Sequence, residues 1–118
     1  MQKVDKITVF ELQDPGYTVN REEWAKRSLF DQLGNIGSEV GRTLKMKRRG
    51  KDFEPALIRA LDLFDATVSG LIATHPHRAK EVLRAKECFL DALYLKDDPS
   101  IETYFMQFAI AARMKRQV

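Results

Sequence analysis

The residues best suited to binding chemistry are a cluster of cations in the first half of the chain. Five lysine and arginine side chains lie within seven consecutive positions, with no acidic residue among the cations. Cations concentrated at a helix end can neutralise several phosphates and release their counterions, which is the chemistry of nucleic-acid contact. A helix C-terminus also attracts cations through its dipole, so a purely structural role stays open. The cluster consists of Lys45, Lys47, Arg48, Arg49 and Lys51.

Polar residues at helical spacing on three predicted helices form a second candidate site. Acids and arginines alternate at steps of three and four, so neighbours on one helix can form ion pairs. One interpretation is a solvated face on each helix. The other is a network of partly buried pairs between helices, which could bind a charged ligand. The predicted network is Asn35, Glu39, Arg42, Asp62, Arg84 and Glu87, with Arg59, Asp65 and Asp91 at the same spacing.

Catalytic and metal-binding motifs are not predicted. A carboxylate-bridged metal centre in a helical bundle needs Glu-x-x-His pairs on facing helices. The two histidines, His75 and His77, instead flank Pro76 in a predicted helix stop. Neither Cys88 nor any serine has a histidine placed by a recognisable nucleophile motif. We therefore expect a protein that is not an enzyme and that holds no metal and no cofactor.

Length and composition limit the fold and the location. With 118 residues and a formal net charge of +3, the chain is predicted to form a single domain over residues 1–118, without the extreme charge of dedicated nucleic-acid binders. No apolar run approaches the roughly 20 residues that span a membrane, and the first residues are too polar for a signal peptide. The single cysteine, Cys88, has apolar neighbours and predicts a small buried thiol in a reducing compartment. We therefore expect a cytoplasmic protein that does not insert into membranes.

Four helices are predicted to position these residues. Apolar side chains return at every third or fourth position in four segments, a pattern typical of one buried face per helix. Asn20 and Glu23 have the spacing of a capping box, and Gly50 suits the end of a helix. Short connections predict an all-α, antiparallel up-down-up-down four-helix bundle, with three long helices plus a short fourth as the alternative. The predicted helices are residues 20–49, 52–74, 77–95 and 99–116.

The same periodicity predicts which residues form the core, and it does not extend to the first residues of the chain. Residues 1–19 are predicted to be an extended arm that lies across the bundle or pairs with another subunit, because a lone strand has no partner within the chain. The inward-facing residues are predicted to include Leu33, Ile36, Val40 and Leu44 on the first helix, Leu57, Leu61, Phe64, Val68 and Leu71 on the second, and Leu83 on the third.

Three glycines inside the predicted first helix need a physical reason. Gly34, Gly37 and Gly41 recur at steps of three and four, and each costs about 1 kcal/mol of helix stability relative to alanine. Small residues on one face allow another backbone to approach closely, within the bundle or between subunits. A phosphate loop would instead need a strand before the glycines and a helix starting after them. The sequence therefore favours close packing over a ligand role.

The last predicted helix is unusually aromatic. Tyr104, Phe105 and Phe108 lie within five residues, and Ile110 follows. Tyr104 and Phe105 point about 100° apart, so together they exceed the width of one core stripe. We expect one of these faces to contact another subunit, which predicts a homo-oligomer. A central position for this helix would explain the same residues through the core alone.

Two stretches carry a resemblance to known proteins. Residues 33–42, with Tyr104, Phe105 and residues 108–113, resemble a group of small prokaryotic proteins with no assigned activity. More distantly, Asn35 and Ile36, a small residue, an acid, Arg42 and a basic link into a second helix are similar to the four helix bundle protein family. That family includes proteins encoded in intervening sequences of bacterial large-subunit ribosomal RNA genes, and it is related to the accessory variability determinant of diversity-generating retroelements.

The resemblance to the four helix bundle protein family covers the first predicted helix, its link and the second predicted helix. It implies a homo-oligomeric bundle, of which a pentamer is one form, with a basic surface that contacts nucleic acid. It implies no catalytic residues. The sequence departs from the family in its longer N-terminal arm and its aromatic last helix.

Three hypotheses for function follow. The first is a non-catalytic, oligomeric helical-bundle protein that contacts nucleic acid through the basic helix end. The alternative is a protein–protein adaptor or scaffold that uses the aromatic last helix and the N-terminal arm, which predicts a complex insensitive to salt. The third is an enzyme built on Glu39, Asp62 and Arg42, for which alanine at Glu39 would change activity without unfolding the protein.

Overall fold

The structure is an all-α fold, as predicted. The computed structural model describes residues 18–117, with side chains as far as Met114. Within that range the chain forms five helices and no strand. Residues 1–17 of the predicted extended arm lie outside the described residues. The helices are α1 (Arg21–Ala25), α2 (Leu29–Arg48), α3 (Glu54–Leu71), α4 (Pro76–Tyr94) and α5 (Ser100–Gln117).

The predicted first helix, residues 20–49, is wrong as a single element. Asn20 caps α1 as expected, because its Oδ1 accepts a hydrogen bond from the Glu23 amide at 3.0 Å. The helix then breaks at residues 26–28, where Ser28 adopts extended backbone angles of φ −64 and ψ 158. The Ser28 hydroxyl accepts a hydrogen bond from the Asp31 amide at 3.1 Å and so begins a new helix. Apolar residues recur at helical spacing on both sides of the break, so the pattern predicted one continuous helix and no second cap.

The remaining helices begin and end within three residues of their predicted bounds. At the end of α2, Gly50 has a φ of 68, a left-handed conformation that glycine adopts without strain. The Gly50 amide donates to the Lys47 carbonyl at 3.0 Å, and the Lys51 amide donates to the Met46 carbonyl at 2.9 Å. These two bonds are the Schellman arrangement, which satisfies the last carbonyls of a helix.

Three buried phenylalanines from three helices form the centre of the core. Phe64 of α3 lies 6.1 Å from Phe89 of α4 and 5.9 Å from Phe105 of α5, measured between ring centroids. All three side chains are at most 1% exposed. Their contact joins three of the four long helices in one apolar cluster, so residues distant in sequence stabilise one another.

The predicted core faces hold for α2 and shift on α3 and α4. Leu33, Ile36, Val40 and Leu44 of α2 are all buried. On α3, Phe64 is buried, but its predicted neighbours Leu57, Leu61, Val68 and Leu71 are only partly buried. Alanines at 56 and 60 occupy the innermost line of α3, so its larger residues pack on the flanks. On α4, Leu83 is 42% exposed because it lies about 100° around the helix from the buried Val82.

No helix in the described part of the chain combines the length and the apolar character needed to cross a membrane.

Candidate functional site: a cationic groove between two helices

Two glycines allow α2 and α5 to pack at short range. Helix α2 makes its most extensive contact with α5. A Cβ atom added to Gly37 would lie 2.6 Å from the Phe105 Cβ, and one added to Gly34 would lie 3.0 Å from the Ala109 Cα. A side chain at Gly37 would therefore force the two helices to shift, and a side chain at Gly34 would press tightly against the α5 backbone. This geometry supports the close-packing interpretation within the chain itself, whereas a Cβ on Gly41 would meet Glu102 at an ordinary 3.8 Å.

A groove of about 550 Å³ lies beside this helix contact. It follows α2 from Gly34 to Arg49, a length of about 22 Å at 1.5 Å per residue. One wall, from α2, combines small residues with cations, and the other wall, from α5, is mostly apolar and includes Met106 and Ile110. Four cations line the groove: Arg42 and Lys45 from α2, Arg49 at the C-cap of α2, and Arg113 from α5.

The structure divides the predicted basic cluster. Lys45 and Arg49 line the groove, and Lys51 is exposed just beyond the end of α2. Lys47 turns to another side of the helix, where its Nζ donates a hydrogen bond to the Leu93 carbonyl and lies 5.7 Å from the centre of the Tyr94 ring. Lys47 therefore anchors α2 to the end of α4.

Arg48 is the second cation of the cluster with an internal partner. Its guanidinium donates to both carboxylate oxygens of Asp97, at 2.8 and 2.9 Å, and to Glu102 at 2.8 Å. These bonds tie the end of α2 to the α4–α5 connection and to the first turn of α5. Glu102 is the one acidic residue that lines the groove. Four cations against this one carboxylate leave the groove with a surplus of positive charge.

The bond to Arg48 predicts a measurable pH effect at Asp97. The hydrogen bonds from Arg48 hold the pKa of the Asp97 carboxyl below its ordinary value of 3.8, because they favour the charged form. A group with a lowered folded pKa stabilises the protein above its unfolded pKa and loses that contribution as the pH falls through the folded pKa. NMR titration of the side-chain carboxyl carbons should therefore give a pKa for Asp97 below 3.8.

Asp98 provides an internal control for this titration. Hydrogen bonds from Ser100, whose amide lies 3.0 Å from the Asp98 carboxylate, lower the pKa of Asp98 independently of Arg48. In Arg48→Gln, the pKa of Asp97 should return towards its ordinary value while that of Asp98 stays low. An unchanged pKa for Asp97 in this variant would contradict the assigned cause.

The predicted polar network separates into distinct groups. Glu39 pairs with Arg42 at 2.8 Å and lies 3.9 Å from the Arg59 Nε on α3. Asp62 instead accepts hydrogen bonds from the Val19 amide at 2.7 Å and from Arg21 at 3.1 Å. Neither group includes the other members: Asn35 donates to the Asp31 carbonyl of its own helix, and Arg84 and Glu87 are exposed on α4. These residues do not form one charged pocket.

A buried polar cluster that the sequence did not predict joins α1, α2 and α3. The Trp24 indole donates to the Thr67 hydroxyl at 2.9 Å, and that hydroxyl donates to the Gln32 amide oxygen at 2.9 Å. The Gln32 amide nitrogen then donates to the carbonyl oxygens of Trp24 and Arg27, both at 3.1 Å. Gln32 therefore donates hydrogen bonds to two backbone carbonyl groups, one in α1 and one just after it. The sequence offered one signal for this cluster: Thr67 lies three positions after the core residue Phe64 and therefore on the same face of the helix.

The predicted burial of Cys88 is wrong. Its thiol is exposed, because the buried face of α4 runs through Ala85, Phe89 and Ala92 and leaves Cys88 to one side. Cys88 lines a second groove, of about 530 Å³, between α4 and α5. Tyr104 lies in the same groove, and its partial burial raises the pKa of the phenol above the ordinary value.

The described side chains do not bring three or more histidine, cysteine, aspartate or glutamate residues together in a group that could hold a metal ion. No protein-family model matches the sequence, and no curated protein and no solved structure shows significant similarity to the chain.

Proposed function

We propose that the protein is a non-catalytic helical bundle that assembles with itself and binds the phosphate backbone of nucleic acid along the α2–α5 groove. The observation that carries the nucleic-acid part is the row of cations on α2. Arg42, Lys45 and Arg49 recur at steps of three and four and face the same groove as Arg113. Neither Lys45 nor Arg49 pairs with an acid among the described residues, so both charges are available to phosphates.

The character of the groove favours contact with the backbone over readout of the bases. Its one aromatic residue, Phe105, is 1% exposed and offers no ring face for stacking. Phosphate contacts position a nucleic acid without reading its sequence. Binding should therefore be largely independent of sequence and should weaken steeply as salt is added.

Reversing two groove charges tests this proposal. In Lys45→Glu/Arg49→Glu, we expect the affinity for a fluorescein-labelled RNA or DNA duplex to fall at least about tenfold at low salt. The slope of log K against log salt concentration should shrink by about 2, because two phosphate contacts are lost. Fluorescence anisotropy over a range of salt concentrations gives both quantities.

A matched variant controls for the change in net charge. Arg78 and Lys80 are exposed on α4, which contributes no residue to the groove. Arg78→Glu/Lys80→Glu therefore alters the net charge equally and should retain most of the affinity. Equal losses in both variants, or no binding by the natural protein at low salt, would contradict the proposal.

The proposal includes the arrangement of the long helices. We infer that α2 to α5 form an antiparallel four-helix bundle, with α1 as a short extra helix. Gly34 lies opposite Ala109, Gly37 opposite Phe105 and Gly41 opposite Glu102, which supports opposite directions for α2 and α5. Short connections between successive helices favour the same topology. The resemblance to the four helix bundle protein family and the cytoplasmic location stay predictions.

The exposed surface of α5 supports self-assembly. Tyr104 and Met114, which do not line the α2–α5 groove, are 39% and 62% exposed. Exposed apolar side chains grouped on one helix are typical of protein contact surfaces. The same observation favours the adaptor hypothesis as a second candidate, in which a different protein binds this helix. Purified protein that stays monomeric at every concentration would favour the adaptor.

A further inference from the structure

The two walls of the α2–α5 groove differ in chemistry along most of its length. On the α2 side, Lys45 and Arg49 are cations without an ion pair among the described residues. Residues 103–112 of α5 include no charged side chain. Met106 and Ile110 of this stretch line the groove and are 59% and 44% exposed. The groove is therefore amphipathic, because one wall attracts anions and the other offers exposed apolar surface.

A nucleic-acid duplex complements only one of these walls. Its bases are stacked and paired in the interior, so its outer surface consists of phosphates and sugars on both sides of each groove. A duplex whose phosphates contact Lys45 and Arg49 would place further phosphates or sugars against Met106 and Ile110. Those polar groups would lose water there without gaining a hydrogen bond, which costs free energy. A duplex therefore gains from the cations and loses at the apolar wall.

We propose that the groove binds single-stranded nucleic acid, with the phosphates along the α2 cations and the base faces against Met106 and Ile110. This inference deepens the nucleic-acid binding proposed above and rests on it. Unpaired bases can turn away from their own backbone and expose their apolar faces. A single strand is then anionic on one side and apolar on the other, and so it complements both walls.

Methionine suits a wall that contacts bases of any sequence. Met46 of α2 lines the groove together with Met106 of α5. A methionine sulfur makes favourable contacts with aromatic rings, and its flexible side chain adapts to rings of different size. Because Phe105 is buried, these contacts take the place of the aromatic stacking that is common in single-strand binders. The apolar wall therefore distinguishes single strands from duplexes without distinguishing among the bases.

Comparing one strand with its own duplex tests the inference. The probe is a fluorescein-labelled DNA strand without self-complementary segments, measured alone and annealed to its complement. A stacked strand rises about 3.4 Å per nucleotide, so about 20 nucleotides are ample for a groove of about 22 Å. Charge attraction alone favours the duplex, which has the higher charge density. We expect instead that the single strand binds at least about tenfold more tightly at the same salt concentration. The same pair made of RNA shows which nucleic acid binds more tightly.

A double variant tests the role of the apolar wall. Met106→Ser/Ile110→Ser removes the exposed apolar side chains and leaves every groove cation in place. The affinity for the single strand should fall at least about fivefold, while the slope of log K against log salt concentration stays unchanged. Ile72→Ser/Leu83→Ser is the matched control, because Ile72 and Leu83 are 59% and 42% exposed and do not line the groove. This control should bind the single strand as the natural protein does.

Methyl NMR locates the bound strand without any substitution. In protein with isotope-labelled methionine methyl groups, the single strand should shift the signals of Met46 and Met106. The signal of Met114, which does not line the groove, should stay unchanged. A shift at Met114 without one at Met106 would overturn the placement of the strand.

The outcomes distinguish the inference from the proposed function. A duplex that binds as tightly as the single strand overturns the inference and leaves nucleic-acid binding intact. Single-strand binding that keeps its full strength in Met106→Ser/Ile110→Ser overturns the role of the apolar wall. Failure of both probes to bind at low salt overturns the inference and the proposed nucleic-acid binding together.

Discussion

Replacing Gly37 with alanine is expected to lower the free energy of unfolding by about 1 to 2 kcal/mol. The added methyl group would lie 2.6 Å from the Phe105 Cβ, so α2 and α5 must move apart. Overpacking of this kind typically costs about 1 to 3 kcal/mol, and separation of the helices also weakens the core contact of Phe105 with Phe64. Alanine recovers about 1 kcal/mol through its higher helix propensity, which offsets only part of the loss.

Two other helical glycines provide controls for that substitution. A Cβ on Gly41 would meet Glu102 at 3.8 Å, and a Cβ on Gly70 would meet nothing within 4 Å. Alanine at either position should therefore raise the free energy of unfolding by about 0.5 to 1 kcal/mol. Urea unfolding followed by fluorescence of Trp24, the one tryptophan of the chain, measures all three variants. A Gly37→Ala protein as stable as Gly41→Ala would show that the close contact is not needed.

The second large effect is expected at Thr67. Thr67→Val keeps the shape of the side chain but removes the hydroxyl that accepts from the Trp24 indole and donates to the Gln32 amide oxygen. Both groups are then left buried without a partner, each at a cost of about 1 to 3 kcal/mol. We expect a loss of about 3 kcal/mol in the free energy of unfolding, together with a change in the tryptophan emission of the folded protein.

Thr43 is the matched control for Thr67. The two threonines are 0% and 1% exposed, but the Thr43 hydroxyl donates to the Glu39 carbonyl of its own helix at 2.7 Å. That carbonyl can keep its backbone partner when the hydroxyl is lost, so Thr43→Val should cost at most about 1 kcal/mol. Equal losses at Thr43 and Thr67 would indicate that removing either buried hydroxyl has the same cost and that the cluster of Trp24, Thr67 and Gln32 adds nothing to it.

Local signals in the sequence predicted most of the fold. Asn20 as a cap and Gly50 as a helix end depend on contacts within a few residues, which a sequence shows directly. The buried face of α2 follows from the helical period alone. The break at Ser28 was missed because a capping hydroxyl looks the same within a periodic stretch as outside it. Cys88 was misplaced because it lies beside the buried Phe89, about 100° around the helix.

The candidate site was only partly predictable, because residues distant in sequence determine which of its cations have internal partners. Five clustered cations spread around a helix, so Lys47 and Lys45 point to different sides. Helix geometry could have separated those two. It could not show that Arg48 pairs with Asp97 and Glu102, which lie 49 and 54 residues further along the chain. The link between Thr67 and Gln32, 35 residues apart, is beyond local patterns for the same reason.

The tight contact between α2 and α5 has a consequence for biosynthesis. A ribosome adds about 5 to 20 residues per second, so roughly 3 to 14 s pass between the synthesis of Gly41 and that of Ala109. During this interval the glycine-bearing side of α2 has no cover from its own chain, because Phe105 and Ala109 have not yet been made. The contact between α2 and α5 can therefore form only after α5 has left the exit tunnel, and until then the glycine-bearing side of α2 lacks the surface that covers it in the folded protein.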